Sequence, residues 1–402
     1  MPPQVHGHPR LCLAAAAVAW TLGIAPGSGL HAASAVPGVS TTALGPTPVA
    51  AARADALLRR CRPIDLHSDG LWQLRSGRAQ AFCGPHSTLQ ASLSRLQASH
   101  FDAQVLAVWT RPGHEHGPTA ARAALDQFDA TIRACPDLRP ASAASLAAGP
   151  PASRGEGPAG RGALPDDRRV RGVLAIEGAE AIGETAEGLR PWHARGLLYV
   201  SPTWNHSNAF GDAATDVGRH GGLSAEGRRL VAIAGEIGVL MDISHVADST
   251  AADVLRLSRR PVIASHSNAR TVRDHARNVT DAQIRAVAGS GGVVGLNAHC
   301  PFVVRKGRAC DVAAWVRHAE HVRKVGGDGV LALGSDFDGD IRAPQGYAHA
   351  GELPHLVAAL LQRGWSEAVV CGLLGDNVRR VAATLGLPAA RPMQPEKPAA
   401  GR

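Results

Sequence analysis

His67 and Asp69 stand two residues apart at the end of the run PIDLHSDG, Pro63 to Gly70. A buried imidazole or carboxylate needs a partner, so a run ending this way is either a polar surface loop or one edge of a metal site. Elsewhere the chain repeats the pattern. Glu177 ends GVLAIE (172–177), His245 follows IGVLMDIS (237–244) and His266 ends PVIASH (261–266). Asp336 ends GVLALGSD (329–336), with Asp338 two residues on. A single acid or histidine after an apolar run is usually solvated or a satisfied core residue. Five such endings with matched chemistry are a different matter: imidazole and carboxylate suit zinc, and a carboxylate can bridge two ions. Two ions can acidify a water between them and polarise a carbonyl, which is the chemistry of amide hydrolysis.

Such residues are useful only if the fold gathers them. Eight short apolar runs recur: 63–67, 102–109, 172–177, 196–203, 237–244, 261–266, 291–297 and 329–336. They are continuous rather than alternating, the mark of strands buried on both faces in a parallel sheet. Helix patterns lie between them. LSAEGRRLVAIAGEIG has Ser224 as a cap, Glu226 in the first turn, and Leu230, Ile233 and Ile237 on one face. A second begins at Ser366 and stops at Gly386 and Pro388. Eight strand-then-helix units point to an α/β fold, a (β/α)8 TIM barrel, whose strand C-termini share one rim. An open doubly wound sheet is the alternative, weakened because no glycine fingerprint follows the first strand.

The 402 residues, 45% of them hydrophobic, suffice for a large core. The net charge of +8 is scattered arginine, with only Lys306, Lys324 and Lys397 as lysines and few aromatic residues, so nucleic acid is not an expected partner. Residues 1–35 read as a signal peptide: Arg10, an apolar stretch from Leu11 to Ala25, and the small-x-small pattern Ala33-Ser34-Ala35. That predicts export to the periplasm or beyond, with no stable membrane anchor. Residues 36–60 read as low-complexity sequence, 61–388 as the barrel with a flexible insertion near 140–164, and 389–402 as a polar tail. Six cysteines would remain after export, with no CxxC spacing, and Cys300 with Cys310 is the first candidate disulfide.

The blocks IDLHSDGLWQL, VLAIEGAEAIG, LRPWHARGLLYVSPTWNHSN, GLSAEGRRLVAIAGEIGVLMDISHVA, PVIASHSNARTVRDHARNV and LGSDFDG together resemble the membrane (renal) dipeptidases, a zinc branch of the amidohydrolase superfamily. The resemblance runs from about residue 61 to 385 with the blocks in order. It implies a binuclear zinc barrel of the metal-dependent amidohydrolase type that cleaves dipeptides, including those with a C-terminal D-residue. Matched by motif, His67 and Asp69 would bind one zinc, His245 and His266 the other, and Glu177 would bridge. Asp336 would be the general acid/base and Arg277 the clamp on the substrate carboxylate. A family histidine after the fourth strand is replaced here by Trp204, leaving His206 or Asn205 to meet the substrate. His299 and His193 are read as packed or solvated, and Asp338 as orienting the loop or a ligand rather than binding metal. A homodimer is implied by analogy alone.

Two other readings stay open on sequence: the same barrel acting on another amide, such as a β-lactam or a specialised conjugate, and a non-catalytic binding protein, against which the intact ligand set argues.

Overall fold

A computed structural model of the chain describes residues 47–74, 79–110, 117–149 and 168–386. The expected signal peptide, most of the expected insertion and the polar tail lie outside these residues.

Nine parallel strands form one sheet: β1 (Ile64–Ser68), β2 (Ala103–Trp109), β3 (Leu138–Ala141), β4 (Val170–Glu177), β5 (Tyr199–Ser201), β6 (Leu240–Asp242), β7 (Val262–Ile263), β8 (Val294–Leu296) and β9 (Leu331–Leu333). Their order is β7-β6-β5-β4-β2-β1-β9-β8, and a bridge between Ala264 and Val294 joins the two ends. Eight strands thus make a nearly closed barrel, and each coincides with one of the eight predicted runs. β3 is an addition that pairs only with β4, outside the ring. Its sequence, LRPA, has no apolar periodicity to reveal it.

Residues of seven strands gather in one buried interior cluster, among them Ile64, Val105, Val173, Tyr199, Leu240, Ile263 and Ala332, all at most 2% exposed. A larger apolar cluster lies between strands and helices. The barrel is therefore a packed support, and its polar business is confined to the rims.

The helices follow their caps. Ser224 Oγ accepts from the Gly227 N–H at 3.0 Å to open the helix Ala225–Ile237, and Gly238 closes it at φ 78°. The segment predicted from Ser366 is one helical run, Glu367–Ala383, broken by a π turn at Gly372–Asp376. Two expectations need correction. Residues 48–60, read as low-complexity sequence, belong to the helix Pro48–Cys61 capped by Thr47, because Ala54, Leu57, Leu58 and Cys61 fall on one buried face. Residues 140–148, read as flexible, hold the end of β3 and the helix Ala143–Ala147, whose Leu146 is buried against the barrel floor.

Three disulfides join Cys61–Cys371, Cys83–Cys135 and Cys300–Cys310. The first ties the helix before β1 to the last helical run across 310 positions. Among the described residues no helix is long and apolar enough to cross a membrane.

At the rim where the strands begin, Asp102 is 1% exposed and receives two guanidinium groups, from Arg171 and from Arg379, the latter at 2.9 Å. Arg379 also donates to the backbone carbonyls of Cys61 and Arg62. Removing the acid would leave the nearly buried Arg171 with no counter-charge and Arg379 with only the exposed Asp376, 3.0 Å away. Asp102→Asn should therefore lower unfolding stability by about 3 kcal/mol, read by chemical denaturation, and leave the opposite rim's ligand binding intact.

Candidate metal centre

The strand C-termini bring together all five residues expected as ligands. One oxygen, Glu177 Oε1, lies 3.6 Å from His67 Nε2, 2.8 Å from His245 Nε2 and 3.1 Å from His266 Nε2. Asp69 Oδ2 is 3.8 Å from His67 Nε2. The groups fall into overlapping sets, His67/Asp69/Glu177 and Glu177/His245/His266, while Asp336 lies within reach of His67 and His266. Glu177 belongs to both main sets.

Local backbone features aim these side chains. β1 is bulged against β2: Asp65 pairs with Gln104 and Ser68 with Leu106, so one extra residue is accommodated beside His67. His245 and Asp336 both adopt left-handed backbone, at φ 73° and 65°. Such conformations in non-glycine residues persist only where the surroundings enforce them, and they concentrate at functional sites.

Each histidine has its far nitrogen tied. Tyr199 Oη donates to the Leu66 carbonyl at 2.9 Å and accepts from His67 Nδ1 at 2.8 Å. His245 Nδ1 donates to Asn205 Oδ1 at 2.9 Å. Ser265 Oγ donates to Asp242 Oδ2 at 2.6 Å, so it accepts from His266 Nδ1 at 2.8 Å. Asp242 is held in turn by the backbone N–H groups of Ser244 and Ser265. In all three rings the Nδ1 proton is fixed and the Nε2 lone pair is turned toward Glu177, the arrangement that orients metal-binding imidazoles.

These residues fit a metal. His67 Nε2 is buried with no hydrogen-bond partner. Two ligands each about 2.1 Å from a tetrahedral ion stand roughly 3.4 Å apart, and the separations here bracket that value. The electrostatics agree. Burial opposes charge on His67, yet Glu177, Asp69 and Asp336 push its pKa up to about 10. Burial and the charge on Asp69 raise Asp336 to about 8, and burial raises Glu177. Burial, with Arg277 and His67 nearby, holds His245 and His266 well below the usual histidine range. Clustered acids that draw a proton onto His67 for want of other positive charge, beside two imidazoles kept neutral, are what a cation would use.

Above the ligands opens a cavity of about 620 Å³. Arg277 lines it and is 4% exposed. Its Nε and Nη2 are buried without hydrogen-bond partners, and its guanidinium carbon sits 5.4 Å from the centre of the Phe302 ring. A buried guanidinium with two unused nitrogens is a receptor for an anion. Asp336 lies across from it, with Oδ2 accepting from Asn297 Nδ2 at 2.9 Å.

Two expectations change. Asn205 lines the cavity, but its carbonyl oxygen is committed to His245, so it supports a ligand and leaves only its N–H groups for a substrate. His299, read as packed or solvated, lines the cavity beside Phe302, their ring centres 4.8 Å apart. Asp338 is correctly a loop residue: it accepts from the Gln90 and Ala91 N–H groups at 2.6 and 3.2 Å. His193 is exposed, as expected, and His206 lies exposed at the cavity edge. Tyr199, Ser265, Asp242 and Asn297 went unnoticed in the sequence. Ser265 and Asp242 could have been suspected from their places one residue before His266 and three before His245.

A model of the membrane dipeptidase family, peptidase family M19, matches residues 51–394. The dipeptidase aclJ of Aspergillus oryzae is 35% identical over 217 residues, 53% of this chain and 51% of that protein, so the chain spans about half the length of the curated relative it matches. Among solved structures, the metallopeptidase dipeptidase AC of family M19 is 27% identical, covering 80% of this chain and 97% of its own, with a TM-score of 0.68. A metallopeptidase from Rhodobacter sphaeroides, bound to a phosphinate mimic of L-Ala-D-Ala, is 26% identical, covering 80% and 98%, with a TM-score of 0.69.

The Ser265 relay makes a testable demand. Ser265→Ala should weaken metal retention by roughly 10- to 100-fold, measured by competition with a chromophoric chelator. Asp242 keeps its backbone donors, so the fold should survive.

Proposed function

Because the chain belongs to the membrane dipeptidase family, peptidase family M19, we propose that it is an exported dipeptidase that uses two zinc ions. His67, Asp69 and Glu177 would hold one ion, and Glu177, His245 and His266 the other. Bound there, the ions would supply Lewis acidity and an acidified water at neutral pH. The observation that carries this reading is the pair of overlapping ligand sets sharing Glu177, beneath a cavity that also holds an unpaired arginine.

The chain's own groups complete the reaction. Arg277 takes the free carboxylate of the dipeptide, since its two unpartnered nitrogens match two oxygens in a fork. This fixes the peptide bond over the ligand cluster and excludes longer chains that continue past that carboxylate. Asp336 accepts a proton from the attacking water and returns it to the leaving amine. Asn297 holds one of its oxygens and leaves the other for the transfer. Without cations, burial and the adjacent Asp69 push Asp336 up to about 8; bound cations would lower it and leave a carboxylate able to take the proton. A C-terminal D-residue falls within the reading, supported by the L-Ala-D-Ala mimic bound to the Rhodobacter relative. Export is supported by the three disulfides, which persist in oxidising compartments.

Three outcomes follow. The purified chain should hydrolyse L-L and L-D dipeptides, lose the activity to a chelator and regain it with zinc; full activity after metal removal would overturn the proposal. Asp336→Asn should reduce kcat by at least about 100-fold. Arg277→Met should lower kcat/KM by about 100-fold on free dipeptides and leave the much weaker hydrolysis of dipeptide amides unchanged.

A further inference from the structure

One wall of the cavity is built from indoles. Trp72 and Trp109 meet edge to face with ring centres 4.5 Å apart, and Trp109 meets Trp204 in the same way at 4.7 Å. All three line the cavity and all three are only part-buried, so each leaves ring surface at the mouth. Trp204 also lies 6.2 Å from the His245 ring. The wall therefore begins directly above the ligands.

The strand order fixes where this wall stands. Around the barrel the sequence is β1, β2, β4, β5, β6, β7, β8 and β9. Trp72 follows β1, Trp109 ends β2 and Trp204 follows β5; Arg277 follows β7, while His299 and Phe302 follow β8. β2 and β7 are four places apart in a ring of eight, hence diametrically opposed. The barrel axis, with Glu177 and its histidines, lies between. A dipeptide spans about 7 Å, so one anchored by its carboxylate on Arg277 and lying across the axis has its second residue beside Phe302 and directs its first toward Trp109 and its neighbours.

We propose that Trp72, Trp109 and Trp204 form the recognition surface for the substrate's first side chain and select dipeptides with a large apolar or aromatic residue at that position. This deepens the dipeptidase reading and rests on it. The physical basis is direct. The part-buried indoles gain when an apolar side chain covers what surface they still show, and aromatic rings add edge-to-face contacts beyond the area they cover. Contiguous, part-accessible aromatic surface inside a concave site is the usual lining of a ligand pocket. Edge-to-face contact with both neighbours makes Trp109 the keystone of the wall. The Arg277 side offers no equivalent; there Phe302 is engaged by the guanidinium.

The test is a panel of Xaa-Ala and Ala-Xaa dipeptides, with Xaa as Ala, Leu, Phe or Trp, on the zinc-loaded full chain. kcat/KM should rise roughly 10- to 100-fold from Ala-Ala to Phe-Ala or Trp-Ala, with a much smaller rise along the Ala-Xaa series. Trp109→Ala should collapse the Phe-Ala to Ala-Ala ratio to within a few-fold, and Trp109→Phe should restore most of it. Should Trp109→Ala not fold, Trp72→Ala serves the same purpose. As a readout independent of turnover, a phosphinate mimic of Phe-Ala should quench tryptophan emission more strongly than its Ala-Ala counterpart. Cleavage with a flat Xaa-Ala series, or a preference confined to Ala-Xaa, would overturn the inference while leaving the dipeptidase reading intact. Failure to cleave any dipeptide would remove both.

Discussion

A single buried carboxylate governs this molecule. Glu177 ends β4, is 3% exposed, and presents one oxygen to the Nε2 atoms of three histidines within 3.6 Å. Out of water neither acid nor imidazole is stable alone, and breaking such a set by removing a member leaves uncompensated charge. The ring of strands and the tied Nδ1 atoms of His67, His245 and His266 make sense as devices that hold several polar groups around a shared centre.

The barrel divides the labour between its two rims. At the strand N-termini, Asp102 with Arg171 and Arg379 locks β2, β4 and the last helical run together. At the C-termini, a bulge in β1 and left-handed backbone at His245 and Asp336 accept local strain to aim side chains. Between them sits a dry apolar plug capped by Tyr199, whose hydroxyl is the point where core and site meet.

Much of this could be read from the sequence, for physical reasons. Strands buried on both faces must be continuously apolar, so all eight barrel strands were visible, and their polar endings exposed His67, Asp69, Glu177, His245, His266 and Asp336. Helices with side-chain caps, such as the one opened by Ser224, were visible as well. β3 was not, because a strand pairing on one side at the surface needs no apolar pattern. The helix at 48–61 was hidden by its alanines, which favour helix but resemble low-complexity sequence. The groups behind the ligands were hidden for a different reason. Ser265, Asp242 and Tyr199 act through distances across strands, and residue type alone does not reveal such a pairing. The same holds for the tryptophans, 37 and 95 positions apart in sequence yet in ring contact.

The central claim is that Glu177 joins two cation sites. Its most direct test is the zinc content of the purified full chain, together with anomalous diffraction at the zinc edge. The account predicts two ions per chain, one on His67, Asp69 and Glu177 and one on Glu177, His245 and His266. A single ion, or ions that leave Glu177 out of their coordination, would contradict it.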